Sequence, residues 1–166
     1  METISLLLIL LISAFSLTAS FHFLRGFFPR RVERLEEVLE GHWKRSFWLG
    51  LVNSLLAAAV LLGLAALGDA VPFFFLPGFA LAGLILTAVL FGLTSLSISL
   101  GVRLFPDHGP FHRLTGGAGV MLLSFLVPIA GWFLLLPYAL CLALGSVVLA
   151  VFQDKKQKTP EPIQED

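Results

Sequence analysis

The sequence predicts an all-α, polytopic membrane protein with about five transmembrane helices and one amphipathic interfacial helix. Three observations support this fold class. The chain of 166 residues is 57% apolar and 13% charged, and its mean hydropathy of +0.92 is far from that of water-soluble proteins. Long uncharged runs alternate with short charged segments. When about five crossings are counted, all 11 Lys and Arg residues fall on one side of the membrane.

The N-terminal segment 1–24 is predicted to be a transmembrane anchor, because its uncharged run from Thr3 to Leu24 is long enough to span. A cleaved signal peptide is the alternative interpretation. Against it, the positive n-region is missing, and residues 17–19 form a poor cleavage site. The positive charge follows the run, beginning at Arg25, which favours an uncleaved anchor with its N-terminus outside.

The segment 25–45 is predicted to form an amphipathic cytoplasmic helix at the membrane interface, opened by Pro29. Its apolar residues recur at helical spacing and form one stripe: Val32, Leu35, Val38, Leu39 and Trp43. Its lipid or partner surface would also include the basic residues Arg30, Arg31 and Arg34. Two interpretations stay open. The stripe lies in the headgroup boundary with the arginines at lipid phosphates, or the helix is a solvated linker whose stripe packs on the bundle.

The region 46–152 is predicted to hold a four-helix transmembrane region made of two hairpins, and 153–166 a disordered polar tail. The run from Leu114 to Gln153 is about forty residues long, so a single helix would reach ~60 Å, twice the ~30 Å hydrocarbon core. Residues 127–132 combine proline, glycine and tryptophan, which predicts a turn there. The first arm of this hairpin, Leu114 to Val127, is only ~21 Å long and either spans a thinned bilayer or re-enters.

This arrangement places every Lys and Arg on the cytoplasmic side and leaves only Glu2 and Asp69 outside. We therefore expect a protein of the bacterial cytoplasmic membrane, with its N-terminus outside and its C-terminus cytoplasmic. A four-crossing arrangement with a re-entrant final segment is the alternative, and it would put the Lys-rich tail outside.

No span contains an ionisable group at depth, and such groups are what intramembrane catalysis and coupled transport usually require. We therefore expect no enzyme activity. Buried hydroxyls and glycines are expected to serve helix packing. The glycines assigned to this role are Gly63, Gly83, Gly92, Gly116, Gly117 and Gly119. Since Cys141 is the only cysteine, neither a disulfide framework nor a thiolate metal site is available.

The loop between the third and fourth spans contains the weak metal candidates Asp107, His108 and His112. Gly-Pro lies between the two histidines and prevents the helical i, i+4 geometry, so a solvated interfacial loop is the favoured interpretation. Metal or haem binding that includes His22 or His42 stays open. No cofactor is expected, and no basic and aromatic pattern typical of nucleic-acid binding is present.

Short motifs between Phe28 and Phe152 resemble a poorly characterised bacterial family of polytopic domains found fused to or beside bactofilin-type polymer-forming proteins. The motifs are Phe28-Pro29-Arg30, Arg45-Ser46, Leu100-Gly101-Val102-Arg103 and Val127-Pro128-Ile129-Ala130-Gly131-Trp132. The resemblance implies a membrane-embedded scaffold or anchor for an assembly, and it identifies no catalytic residue.

The leading functional hypothesis is a non-catalytic integral membrane scaffold, anchor or accessory subunit that docks a cytoplasmic or membrane partner. The expected partners are the lipid bilayer, anionic lipid headgroups and a protein in a larger membrane assembly. The alternative is a transporter or channel for a small neutral or apolar solute, lined by the hydroxyls of the third span from Thr94 to Ser99.

Overall fold

The computed structural model describes residues 2–157, and every secondary-structure element in that range is helical. The helices are α1 (Glu2–Phe27), α2 (Pro29–Ala70), α3 (Phe75–Leu104), α4 (Pro110–Leu126), the single turn α5 (Pro128–Ala130) and α6 (Leu136–Gln157). A 3₁₀ turn, Pro72–Phe74, joins α2 to α3, and a π-helical turn, Gly131–Leu135, joins α5 to α6. The predicted all-α class is therefore confirmed for the described residues.

Within the described residues, three helical segments are long and apolar enough to cross a membrane: Pro29–Gly68, Phe75–Leu104 and Gly131–Gln153. This finding supports an integral membrane protein. The predicted polar tail starts inside a helix, because α6 continues to Gln157. The rest of that tail, 158–166, lies outside the described residues.

Helix α2 joins the predicted amphipathic helix and the second span into one element of 42 residues. The two parts are separated at His42, whose backbone leaves the helical region (φ −139°, ψ 36°). Gly41 precedes this break, and glycine is a weak helix former because it loses the most conformational freedom on ordering. The boundary between the two parts therefore lies slightly before the predicted one at residue 45.

The apolar stripe of the first part of α2 faces the protein interior. Val32, Leu35 and Leu39 are 1%, 5% and 5% exposed, whereas Trp43 is 51% exposed. Of the two interpretations left open by the sequence, the structure shows the stripe packed on the bundle. The predicted lipid or partner surface is corrected accordingly: it does not include Val32, Leu35 and Leu39, since these side chains, like that of Val38, are covered within the chain.

The buried core combines residues from α1, α2, α3, α4 and α6. Its largest cluster contains Phe21, Val32, Val89, Leu93, Ile98, Leu114, Ala118, Met121, Ala139 and Ala143. Helix α3 is the central element, because it contacts α1, α2, α4 and α6. Much of the remaining apolar surface is exposed, including Phe15, Phe79 and Phe133. Such an outer face is expected when lipid, not water, surrounds the bundle.

The closest helix contact joins α2 to α6 through two glycines that face each other. A Cβ added at Gly50 would overlap the backbone carbonyl of Cys141, and one added at Gly145 would overlap the carbonyl of Ser46. Each added Cβ would also lie 2.9 Å from the backbone nitrogen of the other glycine. The two backbones approach this closely only because neither glycine has a side chain.

A second close contact of the same kind joins α3 to α4. A Cβ at Gly101 would overlap the carbonyl of Arg113, and one at Gly117 would overlap the carbonyl of Ser97. Gly92 on α3 makes a comparable approach to the backbone of Ala143 on α6. The glycines therefore set the distances among α2, α3, α4 and α6.

Three of the glycines predicted to serve helix packing do not do so within the chain. A Cβ added at Gly63, Gly83 or Gly119 would have no atom within 4 Å. Gly116 differs again, since its Cβ would meet the ring of Phe105, 2.6 Å from the nearest ring carbon. The prediction is corrected for the first three because composition alone does not tell which face of a helix a glycine occupies.

The turn of the last hairpin lies deeper in the bundle than the turn between α2 and α3. The pairing of Gly50 with Cys141 and of Ser46 with Gly145 sets α2 and α6 antiparallel. If this antiparallel pairing is extended along both helices, Gly131 lies beside roughly residue 60 of α2. About ten residues of α2, ~15 Å of helix, therefore extend past the turn of the last hairpin. Within the turn of the last hairpin, the Gly131 N–H donates to the Val127 carbonyl at 2.8 Å.

Candidate functional site

An open apolar groove lies between α1 and α4, with a volume of about 1150 Å³. On α1 it extends from Leu11 to His22, and on α4 from Phe111 to Leu126. Trp132 lines the deep end, beyond Leu126. The groove exists because α1 contacts the bundle mainly near its C-terminal end, where Phe21 is fully buried.

The polar end of the groove is formed by His22 and Thr115. His22 Nδ1 lies 3.0 Å from the Thr18 carbonyl, and because a carbonyl only accepts, Nδ1 is the donor. This bond leaves Nε2 pointing toward α4, where it lies 3.4 Å from Thr115 Oγ1. The imidazole ring packs on Phe111, with 4.5 Å between ring centroids. The ring is therefore held in place with one nitrogen at the groove.

Arg25 lies one helical turn beyond His22 on α1, so the two side chains share a face. Its Nη1 donates to the Pro110 carbonyl at 3.0 Å, which ties the end of α1 to the start of α4. Glu36 on α2 is the acidic neighbour of this end. Burial raises the pKa of Glu36, and so do Glu40 and Glu33, while Arg25 and Arg113 lower it.

The hydroxyls of α3 do not line a path through the bundle. Thr94, Ser95 and Ser97 are each 0% exposed. Thr94 Oγ1 donates to the Leu90 carbonyl at 2.7 Å, and Ser97 Oγ donates to the Leu93 carbonyl at 2.8 Å. Because these hydroxyls bond to their own helix and are packed, they offer no polar lining to a solute.

The predicted metal candidates lie on the exposed loop before α4 and at its first turn. His108 and His112 have ring centroids 6.1 Å apart, and both side chains are exposed, as is Asp107. Across the part of the chain that the structure describes, no group of three or more His, Cys, Asp or Glu side chains is placed to hold a metal ion.

The basic residues at the start of α2 lie on the surface. Arg30, Arg31 and Arg34 are exposed, and the Arg31 guanidinium stacks over the Phe28 ring at 5.7 Å. The Phe28 ring in turn contacts Phe91 of α3 edge-on, with 5.6 Å between centroids. This part of α2 is thus attached to the bundle through its apolar stripe and Phe28, and it presents the arginines on the outside.

Sequence reasoning missed the roles of several residues. On α2 and α3 the glycine contacts coincide with small-x3-small pairs, Ser46 with Gly50 and Ser97 with Gly101, and this spacing is a known signal for close helix packing. The pairing of His22 with Thr115 has no local signal, because the residues are 93 positions apart.

No protein-family model, curated protein or solved structure matches this chain. The resemblance to the bactofilin-associated family therefore stays a prediction from the sequence motifs.

Proposed function

We propose that this chain is a non-catalytic integral membrane scaffold or accessory subunit that docks a protein partner at its cytoplasmic end. The observation that carries the proposal is the closed interior. Glycine contacts bring the helix backbones together, and the α3 hydroxyls are fully covered and bonded to their own helix. Helices packed in this way form a rigid support for a bound partner.

The docking surface in this proposal is the group of exposed basic residues Arg30, Arg31 and Arg34. Their helix is held by the buried stripe, so the arginines project from a rigid support instead of a flexible linker. A preorganised surface loses little conformational entropy when a partner binds. Anionic headgroups of the surrounding bilayer are a second ligand for the same side chains.

The proposed topology has about five crossings in the cytoplasmic membrane, with the N-terminus outside and the C-terminus inside. It is supported by the distribution of Lys and Arg. Helix α4 has 17 residues, ~26 Å, so the last hairpin would turn within the outer leaflet. Reporter fusions at Asp69 and at the C-terminus test the map. A periplasm-specific enzyme active at the C-terminus would refute it.

Co-purification in mild detergent tests the docking surface. The wild-type chain should retain a stoichiometric partner, and the R30Q/R31Q/R34Q variant should lose it. Arg103→Gln is the matched control, because Arg103 is also exposed and basic but lies at the end of α3. Equal retention by the wild type and both variants would remove the arginines from the interface.

The transporter alternative makes a different prediction. The purified chain alone would carry solute flux in liposomes, and substitution of Thr94 or Ser97 would change that flux. Under the scaffold proposal, the purified chain gives no flux above protein-free liposomes.

A further inference from the structure

We infer that the groove between α1 and α4 is a binding site for an anionic phospholipid of the cytoplasmic leaflet. Its acyl chains lie along the apolar wall, and its phosphate lies at His22, Thr115 and Arg25. The assignment of the leaflet rests on the topology given under the proposed function, whereas the binding itself does not.

The length of the groove fits one leaflet. On α1 its described lining starts at Leu11 and ends at His22, which corresponds to about 16 Å of helix. Half of a hydrocarbon core of ~30 Å is about 15 Å. On α4 the lining runs from Phe111 to Leu126, which corresponds to about 22 Å of helix. A partner's transmembrane helix would need the full core thickness to cover its own apolar surface, and neither described wall of the groove reaches it. A lipid acyl chain needs only about half of the core and fits along both walls.

Most polar groups of the groove lie at one end. Between Leu11 and Thr18 the lining is apolar apart from Ser13 and Thr18, and the Thr18 hydroxyl is already bonded to the Ala14 carbonyl at 2.9 Å. His22 Nε2 and the Thr115 hydroxyl lie at the opposite end from Trp132. One polar end and an apolar remainder is the pattern of a lipid.

The charge at the polar end favours an anionic headgroup. Arg25 shares a face of α1 with His22, and its Nη1 bond to Pro110 leaves further guanidinium donors. The acidic group nearby is Glu36, whose carboxyl interacts with both Arg25 and Arg113. Glu36 has Glu33 and Glu40 as further acidic neighbours on α2. No acidic side chain is among the described residues that line the groove, and lipid phosphate is a strong acceptor for the remaining guanidinium donors of Arg25.

Gly119 provides a way to fill the groove without disturbing the fold. It lines the groove, and a Cβ added there has no atom within 4 Å. A leucine at this position would therefore extend into the space assigned to the acyl chains. Gly83→Leu is the matched control, because Gly83 on α3 has the same open surroundings but lies outside the groove.

Fluorescence quenching of Trp132 by brominated lipid chains tests the site. The protein contains three tryptophans, so W43F/W48F leaves Trp132 as the single reporter at the deep end of the groove. Nanodiscs of phosphatidylcholine would receive a small fraction of brominated phosphatidylglycerol or, separately, brominated phosphatidylcholine. We expect quenching to require about fivefold less of the anionic lipid, since one basic residue near an anionic lipid gives a preference of that order.

The variants separate the two parts of the site. Gly119→Leu should abolish the difference between the two lipids, and Gly83→Leu should preserve it. Arg25→Gln should remove the headgroup preference while zwitterionic chains still quench. Equal quenching by both lipids in the W43F/W48F parent, or an unchanged preference in Gly119→Leu, would overturn the proposal. Because the assay does not depend on orientation, its failure would leave the scaffold proposal and its topology standing.

Discussion

The contact between Gly50 and Gly145 gives the sharpest test of how this bundle is held together. In Gly50→Ala the new methyl group would overlap the carbonyl of Cys141, a backbone group that moves only if α6 moves. Overpacking of this kind costs typically ~1–3 kcal/mol. We expect a loss of about 2–3 kcal/mol, because a shift of about 1 Å also forfeits up to half of each neighbouring van der Waals contact.

Gly63→Ala is the control, on the same helix and with the same chemical change. A Cβ at Gly63 meets no atom within 4 Å, and alanine is a better helix former by up to ~1 kcal/mol. This variant should be neutral or slightly more stable. The two free energies of unfolding, measured in detergent by tryptophan fluorescence, should therefore differ by at least ~2 kcal/mol.

The double variant G50A/G145A tests the mechanism itself. Each added Cβ lies against the other glycine, so one separation of α2 from α6 relieves both overlaps. The double variant should cost less than the sum of the single variants, with a coupling of about 1–2 kcal/mol. Strict additivity, or a Gly50→Ala protein as stable as Gly63→Ala, would refute the claim that this backbone approach sets the helix distance.

Three further predictions concern stability, each measured by thermal unfolding in detergent. Glu36→Gln should stabilise the protein at neutral pH and not at acidic pH. The raised pKa of Glu36 favours the neutral carboxyl, so native stability is lost as pH rises through that pKa. Gly117→Ala should destabilise by ~1–3 kcal/mol through overlap with α3, whereas Gly119→Ala, two residues away on an open face, should not. Leu35→Ala should lower the free energy of unfolding by ~2–5 kcal/mol, since the Leu35 side chain is buried. A change near zero would instead support the interpretation in which the apolar stripe lies in the headgroup boundary.

Several features of the fold were predictable from the sequence because they depend on local chemistry. The long uncharged runs required helices, since only helices satisfy every backbone polar group within one segment in lipid. Pro72 and Pro128 stand at the start of new helical elements, where a missing N–H is tolerated. The spacing of Leu35 and Leu39 predicted one apolar face, which the structure has.

Other features depend on which surfaces meet. A stripe that suits the headgroup boundary suits a protein interior equally well, and only its burial against the bundle decided between them for Val32 and Leu35. Gly119 and Gly117 are alike in sequence and opposite in surroundings, because residues two apart on a helix point to different sides.

The sequence by itself determined that this chain is helical, apolar and divided by basic segments, because backbone hydrogen bonding and charge burial are properties of each segment alone. The tertiary structure decided which glycines bring helices together and that His22 lines an apolar groove, with Arg25 bonded to Pro110 beside it. Those results depend on contacts between residues far apart in the chain, and no local pattern says which distant residue each one will meet.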